Sequence, residues 1–342
     1  MTNLSGQTTT SRRSLLKGLV AGGGLAAVAV AAPSQAFANA VNRSAASSAR
    51  PGATGYALIQ RGRLRLGQSH AGMTVAAAES QSGRIGVHRA FYTWSQYING
   101  GDAGQIADDH AHGRIPWVSF KPPVGGKPGW DAIAAGAHDA AITKQARRYA
   151  ALGKPIIQTF NHESSNDDLS PGAGRSYAAA TSRIYRLYKA AGATSKVVYV
   201  PLQGYWLFNP RNTRDNPHDW MTQELADVIQ EVGVYSIDSY HEGDDQNLDY
   251  RIPRVRAFLA KYGVTVPVMV GEYGTCNNFS NPSPADYINT GITWAKNHVN
   301  QCAVVCYYNC SLNSKPDVYW PLRESTAKTN AWKQQVTSLA TG

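Results

Sequence analysis

The sequence has no long apolar run, no glycine-rich nucleotide loop and no cluster of basic residues, and each absence argues against a class of protein. Its longest uncharged apolar stretch, 18–32, has about fifteen residues, fewer than the roughly twenty that span a bilayer. No G-x-G-x-x-G follows the first predicted strand, which argues against a dinucleotide-binding fold. The net charge of +10 comes from scattered residues, so we expect no nucleic-acid partner.

The N-terminus has the pattern of an export signal. Paired arginines, Arg12 and Arg13, precede the uncharged stretch, and Ala36–Ala38 provides the small-x-small site that a signal peptidase cleaves. These features predict a twin-arginine signal peptide over residues 1–38, and hence a secreted protein without a membrane segment after cleavage. Residues 39–57 are rich in Ala, Ser and Arg and have no apolar periodicity, which predicts a flexible lead-in.

The remaining residues, 58–342, suit one large domain in which short apolar runs alternate with helical patterns. The predicted strands are Leu64–Ser69, Ile85–Tyr92, Ile115–Phe120, Pro155–Phe160, Val197–Leu202, Val234–Tyr240, Pro267–Glu272 and Ala303–Asn309. The predicted helices are Trp130–Leu152, Gly174–Ala191, Trp220–Glu231, Tyr250–Tyr262, Pro284–Val299 and Glu324–Leu339. Eight strands with intervening helices predict an α/β protein with a single (β/α)₈ TIM barrel, whose active site lies at the carboxyl ends of the strands.

Two glutamates follow the fourth and seventh predicted strands. Glu163 ends the stretch Asn161-His162-Glu163, and Glu272 lies in Gly271-Glu272-Tyr273-Gly274. Both should therefore face the barrel mouth, where a pair of carboxyl groups is what glycoside hydrolysis needs. One carboxylic acid protonates the departing oxygen, while the other carboxylate attacks the anomeric carbon or activates water.

These two segments, together with Ser236–Tyr240 on the sixth predicted strand, resemble glycoside hydrolase family 26 of clan A, which contains chiefly β-mannanases. The resemblance implies that Glu163 is the general acid/base and Glu272 the nucleophile of an endo-acting, retaining enzyme. It also implies that His162 positions the sugar or the acid, and that Tyr240 hydrogen-bonds the nucleophile. The chain departs from the family at 164–168, where tryptophans that line the cleft are missing, so xylan and mixed-linkage glucan stay open beside β-1,4-mannan.

Further residues near the strand ends are candidates for substrate binding. Trp206 and Tyr308 are predicted sugar-stacking platforms and Asn161 a hydrogen-bonding partner, although an aromatic at such a position can equally pack into the core. Trp94, Asp238, His241 and Lys121 are weaker candidates of the same kind. We expect a polysaccharide as the partner of a monomeric protein.

No cofactor or metal is predicted, although several histidines occur in loops. Asp108–His112 resembles a ligand cluster, but it also fits the solvated end of a short helix. Two other functions stay open at this point. One is a barrel that binds glycans without cleaving them, and the other is a metal-dependent hydrolase that uses the histidines.

The chain has four cysteines, whose spacing lacks the paired C-x₂-C clusters of a zinc site. Cys276 and Cys310 each follow a predicted strand, and those strands would be neighbours in a barrel. Because an exported protein can form disulfides, we predict that Cys276 and Cys310 are bonded. Cys306 lies inside an apolar strand, where a cysteine acts as a small hydrophobe.

Overall fold

A computed structural model describes residues 54–59, 62, 64–70, 73–241, 246–311 and 320–340. The predicted signal peptide, 1–38, and most of the predicted lead-in lie outside these residues, so both stay predictions. Among the described residues, no helix combines the length and the apolarity that crossing a membrane requires.

The described residues form nine parallel strands and eleven α-helices, which mostly alternate along the chain. The strands are β1 (Arg65–Ser69), β2 (Val87–Tyr92), β3 (Ile115–Phe120), β4 (Ile156–Phe160), β5 (Val197–Tyr199), β6 (Leu202–Gly204), β7 (Tyr235–Tyr240), β8 (Val268–Gly274) and β9 (Val304–Tyr308). The helices are α1 (Thr54–Ile59), α2 (Val75–Ser82), α3 (Trp94–Ile98), α4 (Ala103–Ala111), α5 (Gly126–Ala134), α6 (Asp139–Ala151), α7 (Ala173–Ala190), α8 (Gln223–Val232), α9 (Leu248–Ala260), α10 (Pro284–Asn297) and α11 (Thr326–Ala340).

The sheet runs in the order β5-β4-β3-β2-β1-β9-β8-β7-β6, so β5 and β6 form its two edges. The fifth predicted strand, Val197–Leu202, covers β5 and the first residue of β6, and it is interrupted at Val200 and Pro201. The Val200 N–H still donates to the Gln158 carbonyl at 2.8 Å, and the Pro201 carbonyl accepts from the Ser236 N–H at 3.1 Å. Proline has no N–H with which to continue a ladder. The barrel therefore closes through an interrupted strand, and the predicted (β/α)₈ fold is confirmed.

The core lies on both sides of this sheet, as expected for parallel strands covered by helices. Every residue of β3, β4, β7, β8 and β9 is buried. Helix α7 buries one apolar face against the sheet. Its Tyr177, Ile184 and Tyr188 recur at spacings that share one helix face, and all three are buried.

Two parts of the helix prediction were wrong. The helix predicted at Trp130–Leu152 is two helices, α5 and α6, because Gly136 between them adopts a left-handed φ of 93° that no helix continues through. Helices α1 to α4 were not among the predicted helices, and α1 begins inside the predicted lead-in, 39–57. The caps of α2 and α3 are nevertheless visible in the sequence. Thr74 accepts from the Ala77 N–H, and Thr93 and Gln96 form a capping box.

A histidine pair, of which His88 is buried and His70 half-buried, packs on the outside of the barrel, beside β1 and β2. His70 stacks on His88 with ring centroids 4.7 Å apart, and His88 Nδ1 lies 3.0 Å from Asp109 Oδ2. Burial, and then the charge of His88, lower the pKa of His70 to about 4 from an ordinary 6.5. Between these two values the unfolded chain binds a proton that the folded protein does not, so stability should fall as pH falls from 6.5 to 4.

Replacement of this histidine should therefore flatten the acid side of the stability profile. In His70→Gln we expect the melting temperature to change less between pH 7 and about pH 4.5 than in the wild type. Thermal denaturation followed by circular dichroism at closely spaced pH values measures this. His112→Gln, at an exposed position, serves as the control. If the melting temperature of His70→Gln fell with pH as steeply as that of the wild type, His70 would not be the source of this pH dependence.

Candidate active site

Strand β8 carries Glu272 into the barrel because the strand contains a bulge. Ile237 of β7 pairs with Val270, but the next residue, Asp238, pairs with Glu272 rather than with Gly271. The extra residue shifts Glu272 onto the face that Asp238 occupies, as bulges commonly do near active sites. Gly271 is required there, because a Cβ would lie 2.3 Å from Arg89 Nη1 and 2.8 Å from Asp238 Oδ1.

Glu163 reaches the same space from a tight loop after β4. Asn161 and Glu163 have φ values of 43° and 51°, the positive-φ region that residues other than glycine seldom adopt. A short 3₁₀ turn, Ser164–Asn166, follows directly, and the Asn166 amide donates to Glu163 Oε2 at 3.1 Å. Strained conformations of this kind concentrate at functional sites.

The two glutamates meet as the sequence predicts. Carboxylate oxygens of Glu163, Asp238 and Glu272 all lie within 4.8 Å of one another, and all three residues are buried. Glu163 is 3% and Glu272 4% exposed, so both lie deep in the barrel mouth. The third carboxylate, Asp238, is one that the sequence marked only as a weak candidate.

A buried arginine, Arg89, compensates part of this negative charge. Arg89 Nη1 donates to Asp238 Oδ1 at 2.8 Å, and Arg89 Nη2 lies 3.4 Å from Glu272 Oε1. Burial disfavours the charge on Arg89, but Asp238 and Glu272 outweigh it, so the pKa of Arg89 is raised above its ordinary value. The sequence analysis missed Arg89. Its one available signal was a basic residue inside the predicted strand Ile85–Tyr92.

Three carboxylates at this spacing are also a set that can hold a metal ion. The permanent cation of Arg89 already contacts two of them, which reduces the negative charge that would attract a metal. The histidines of the metal hypothesis do not form such a group among the described residues. His110 instead lies 3.0 Å from the Pro155 carbonyl, and His112 bonds within its own helix end.

Aromatic side chains form one wall beside Glu272. The Tyr240 hydroxyl donates to Glu272 Oε2, as the family resemblance implies. The Tyr240 ring in turn packs against Tyr308 and Trp320, with centroids 5.8 Å and 4.6 Å away. Trp320 keeps part of its surface exposed and was not identified from the sequence, since no spacing rule ties it to the preceding strand.

The other predicted substrate-binding residues differ in their surroundings. His162 is half-buried and packs against Phe91, with centroids 5.0 Å apart. The indole of Trp206 lies over Gly204, so that a Cβ on Gly204 would be 2.3 Å from Trp206 Nε1. The Trp206 side chain is partly exposed. Asn161 is fully buried, with its side chain bonded to other residues of the protein. Trp94 packs on Tyr97 and Phe120, on the core side.

The last two weak candidates, His241 and Lys121, have identifiable neighbours. His241 is buried, stacks on Tyr287 and lies 3.0 Å from Thr275 Oγ1. Lys121 forms an ion pair with Asp167 at 2.7 Å, at the rim of the site. Neither contact by itself defines a role for these residues in binding substrate.

The four cysteines are all buried. Cys276 follows β8 by two residues, and Cys310 follows β9 by two residues, as expected of neighbouring strands. The disulfide between Cys276 and Cys310 stays a prediction. Burial raises the pKa of the Cys302 thiol to about 12, and burial also raises the pKa of Cys306. Both thiols are thus neutral, consistent with a packing role.

Comparisons with known proteins agree with the fold. No family model matches the chain, and no curated protein matches it. Among solved structures, Bacillus subtilis mannanase man26 has a TM-score of 0.52 at 12% identity, over 88% of this chain and 91% of that one. GH26C from Muricauda sp. MAR_2010_75 has a TM-score of 0.54 at 12% identity, over 83% and 88%.

A third similar structure is CJP38, a β-1,3-glucanase and allergen of Cryptomeria japonica pollen. It has a TM-score of 0.52 at 11% identity, over 75% of this chain and 95% of that one. At these identities the similarity establishes the fold, a (β/α)₈ barrel, and the chemistry has to be argued from the site itself.

Proposed function

We propose that the protein is a retaining β-glycoside hydrolase. The observation that carries this proposal is the approach of Glu163 and Glu272, whose carboxylate oxygens come within 4.8 Å of each other at the carboxyl ends of β4 and β8. Carboxyl groups about 5–5.5 Å apart fit a covalent mechanism, whereas inverting enzymes need about 6.5–9.5 Å to admit a water molecule. The short distance therefore supports retention.

In the first step, the Glu272 carboxylate attacks the anomeric carbon while Glu163 donates its proton to the glycosidic oxygen. The bond from carbon to that oxygen breaks, and the sugar becomes an ester of Glu272. In the second step, Glu163 takes a proton from water, the water oxygen attacks the same carbon, and the Glu272 carboxylate departs. Two inversions at the anomeric carbon leave its configuration unchanged.

The surrounding residues serve these steps in different ways. Arg89 and the Tyr240 hydroxyl hold one oxygen each of Glu272, which orients the carboxylate toward the sugar. The partly exposed indole of Trp320 offers a flat apolar face of the kind that packs on pyranose rings. Trp206, which is also partly exposed, extends this role, and His162 lies next to the acid. Tyr308, predicted as a second stacking platform, is only 7% exposed and supports the Tyr240 ring. A barrel that only bound glycans would have no need for the paired glutamates.

The substrate is a β-glycan, with β-1,4-mannan the first choice. The resemblance at Asn161–Glu163 and Gly271–Gly274 supports mannan, as does the fold shared with a protein named as a mannanase. The tryptophan-free segment 164–168 leaves xylan and mixed-linkage glucan as alternatives. The proposal includes secretion by the twin-arginine route, action as a monomer, and no requirement for a cofactor.

A polysaccharide panel tests this function. Purified protein is incubated with mannan, glucomannan, xylan, mixed-linkage glucan and an acidic polymer, and the products are sized over time. We expect oligosaccharides to appear early on one β-glycan, because an endo-acting enzyme cuts inside the chain. Proton NMR of the first products should show the β-anomer before mutarotation. Release of the α-anomer, or no cleavage of any polymer, would contradict the proposal.

A further inference from the structure

The acid Glu163 lies in a loop whose backbone is held in an unfavourable conformation. Of the described residues other than glycine, only Asn161 and Glu163 have a positive φ. Such a conformation persists only where surrounding contacts hold it in place. The contacts that hold this loop therefore control where the Glu163 carboxyl points.

Asn161 is the first of these contacts. Its Oδ1 accepts from Trp130 Nε1 at 2.8 Å, and its Nδ2 donates to Asp167 Oδ2 at 2.7 Å. Its backbone N–H also donates to the Phe120 carbonyl at 2.8 Å. The side chain is fully buried, so it acts within the protein rather than on a substrate in the cleft.

Asp167 joins this residue to the other end of the loop. Its two carboxylate oxygens accept from Lys121 Nζ at 2.7 and 2.9 Å, in addition to the bond from Asn161. Its backbone N–H donates to the Ser164 carbonyl at 2.9 Å, which closes the turn after Glu163. The Asp167 carboxylate thus connects the ends of β3 and β4, and the Asp167 backbone bonds the turn that carries the acid.

We propose that Asp167 is a positioning residue for the acid/base Glu163. Through Asn161 and the turn at Ser164–Asn166, it keeps Glu163 in its left-handed conformation, with its carboxyl directed at Glu272. This inference rests on the proposed glycosidase function. It assigns a role to the segment 164–168, where the chain departs from the family that it resembles.

The test compares substrates that need acid assistance with substrates that do not. Phenyl β-glycosides depend on protonation of the leaving oxygen, whereas 2,4-dinitrophenyl β-glycosides release a stable anion without it. Glu163→Ala should lower kcat/KM by about 10²- to 10⁴-fold on the phenyl substrate and change it little on the dinitrophenyl one. Mannobiosides, cellobiosides and xylobiosides of both phenols serve as the probes.

Asp167→Ala should reproduce this pattern in weaker form. We expect kcat/KM to fall by about 10- to 100-fold on the phenyl substrate, because a displaced acid transfers its proton poorly, and to stay nearly unchanged on the dinitrophenyl substrate. Asp167→Asn retains an oxygen that can accept from Asn161, so it should restore most of the phenyl activity. If Asp167 only stabilised the fold, its replacement would lower kcat/KM equally on both substrates.

The neighbouring carboxylate provides a matched control. Asp168 accepts from the backbone N–H groups of Lys127 and Ser170, each at 2.8 Å, and makes no contact with Asn161 in the described hydrogen bonds. Asp168→Ala should lower the melting temperature without changing the ratio of the two kcat/KM values. Circular dichroism of every variant confirms the folded fraction.

The outcomes separate the two proposals. The acid role of Glu163 is supported if the wild type cleaves both substrates and Glu163→Ala shows the expected split, that is, a lower kcat/KM on the phenyl substrate alone. An equal loss on both substrates in Asp167→Ala, or no loss at all, would then overturn the positioning role alone. If Glu163→Ala itself shows no split, the proposed function fails, and the role of Asp167 fails with it.

Discussion

Glu272→Gln is expected to lower kcat by about 10⁴-fold or more while the barrel stays folded. An amide cannot attack the anomeric carbon as a carboxylate does, so the covalent step is lost. The glutamine side chain has nearly the same volume, and its oxygen can still accept from the Tyr240 hydroxyl that contacts Glu272. Initial rates on the preferred polysaccharide, with thermal denaturation of the same samples, measure both halves of this expectation.

A chemical rescue distinguishes a lost nucleophile from a damaged site. In Glu272→Ala, azide can enter the space left by the side chain and attack the anomeric carbon of a dinitrophenyl β-glycoside from the same face. A single displacement then releases the phenolate and forms the α-glycosyl azide. Glu79→Gln, at a glutamate paired with Arg114 outside the barrel, should keep full activity. Turnover of Glu272→Gln above about 1% of wild type would remove Glu272 from the mechanism.

The positions of both glutamates could be predicted because strand ends are visible in the sequence. Each apolar run stops where a polar residue begins, and in a parallel barrel all such ends meet at one face. Glu163 follows β4 by three residues, and Glu272 lies within β8, close to its end. Strand order thus brings both glutamates to the same end of the barrel, while their approach within 4.8 Å also depends on the bulge in β8 and on the loop after β4.

The surroundings of the glutamates could not be predicted in the same way. The bulge at Gly271 depends on the space that Arg89 and Asp238 occupy, which no local pattern encodes. Asn161 was expected to contact substrate because it lies beside the acid, yet it is buried behind the site. Whether a polar residue at a strand end faces the cleft depends on backbone dihedrals, here a φ of 43°.

The interrupted fifth strand has a similar origin. The predicted strand, Val197–Leu202, covers β5 but only the first residue of β6, because the ladder changes partners at Val200 and Pro201. Proline in a strand signals such a break. Where the strand resumes depends on its pairing with β7, and hence on the tertiary structure.

Arg89→Met should be the most destabilising single change in the site. The guanidinium is fully buried, contacts Asp238 at 2.8 Å and Glu272 at 3.4 Å, and stacks against Trp117 at 5.1 Å. Methionine fills much of the space but removes the cation that contacts two of the three buried carboxylates, Asp238 and Glu272. Removal of one partner of a buried ion pair costs about 3–5 kcal/mol of unfolding free energy, and we expect a loss of that size. Urea denaturation measures it.

A second substitution shows whether the loss comes from uncompensated charge. Asp238→Asn in the Arg89→Met background removes one of the three carboxylates, so the double variant should be more stable than the sum of the two single losses predicts. Arg114→Met removes a buried arginine from its pair with Asp109, outside the barrel. It should lose comparable stability yet keep the activity of its folded fraction. Arg89→Met should lose activity as well, because Glu272 then keeps only its bond from Tyr240 among the contacts described for its carboxylate. If both arginine variants kept activity equally, Arg89 would be a structural cation rather than a support for the nucleophile.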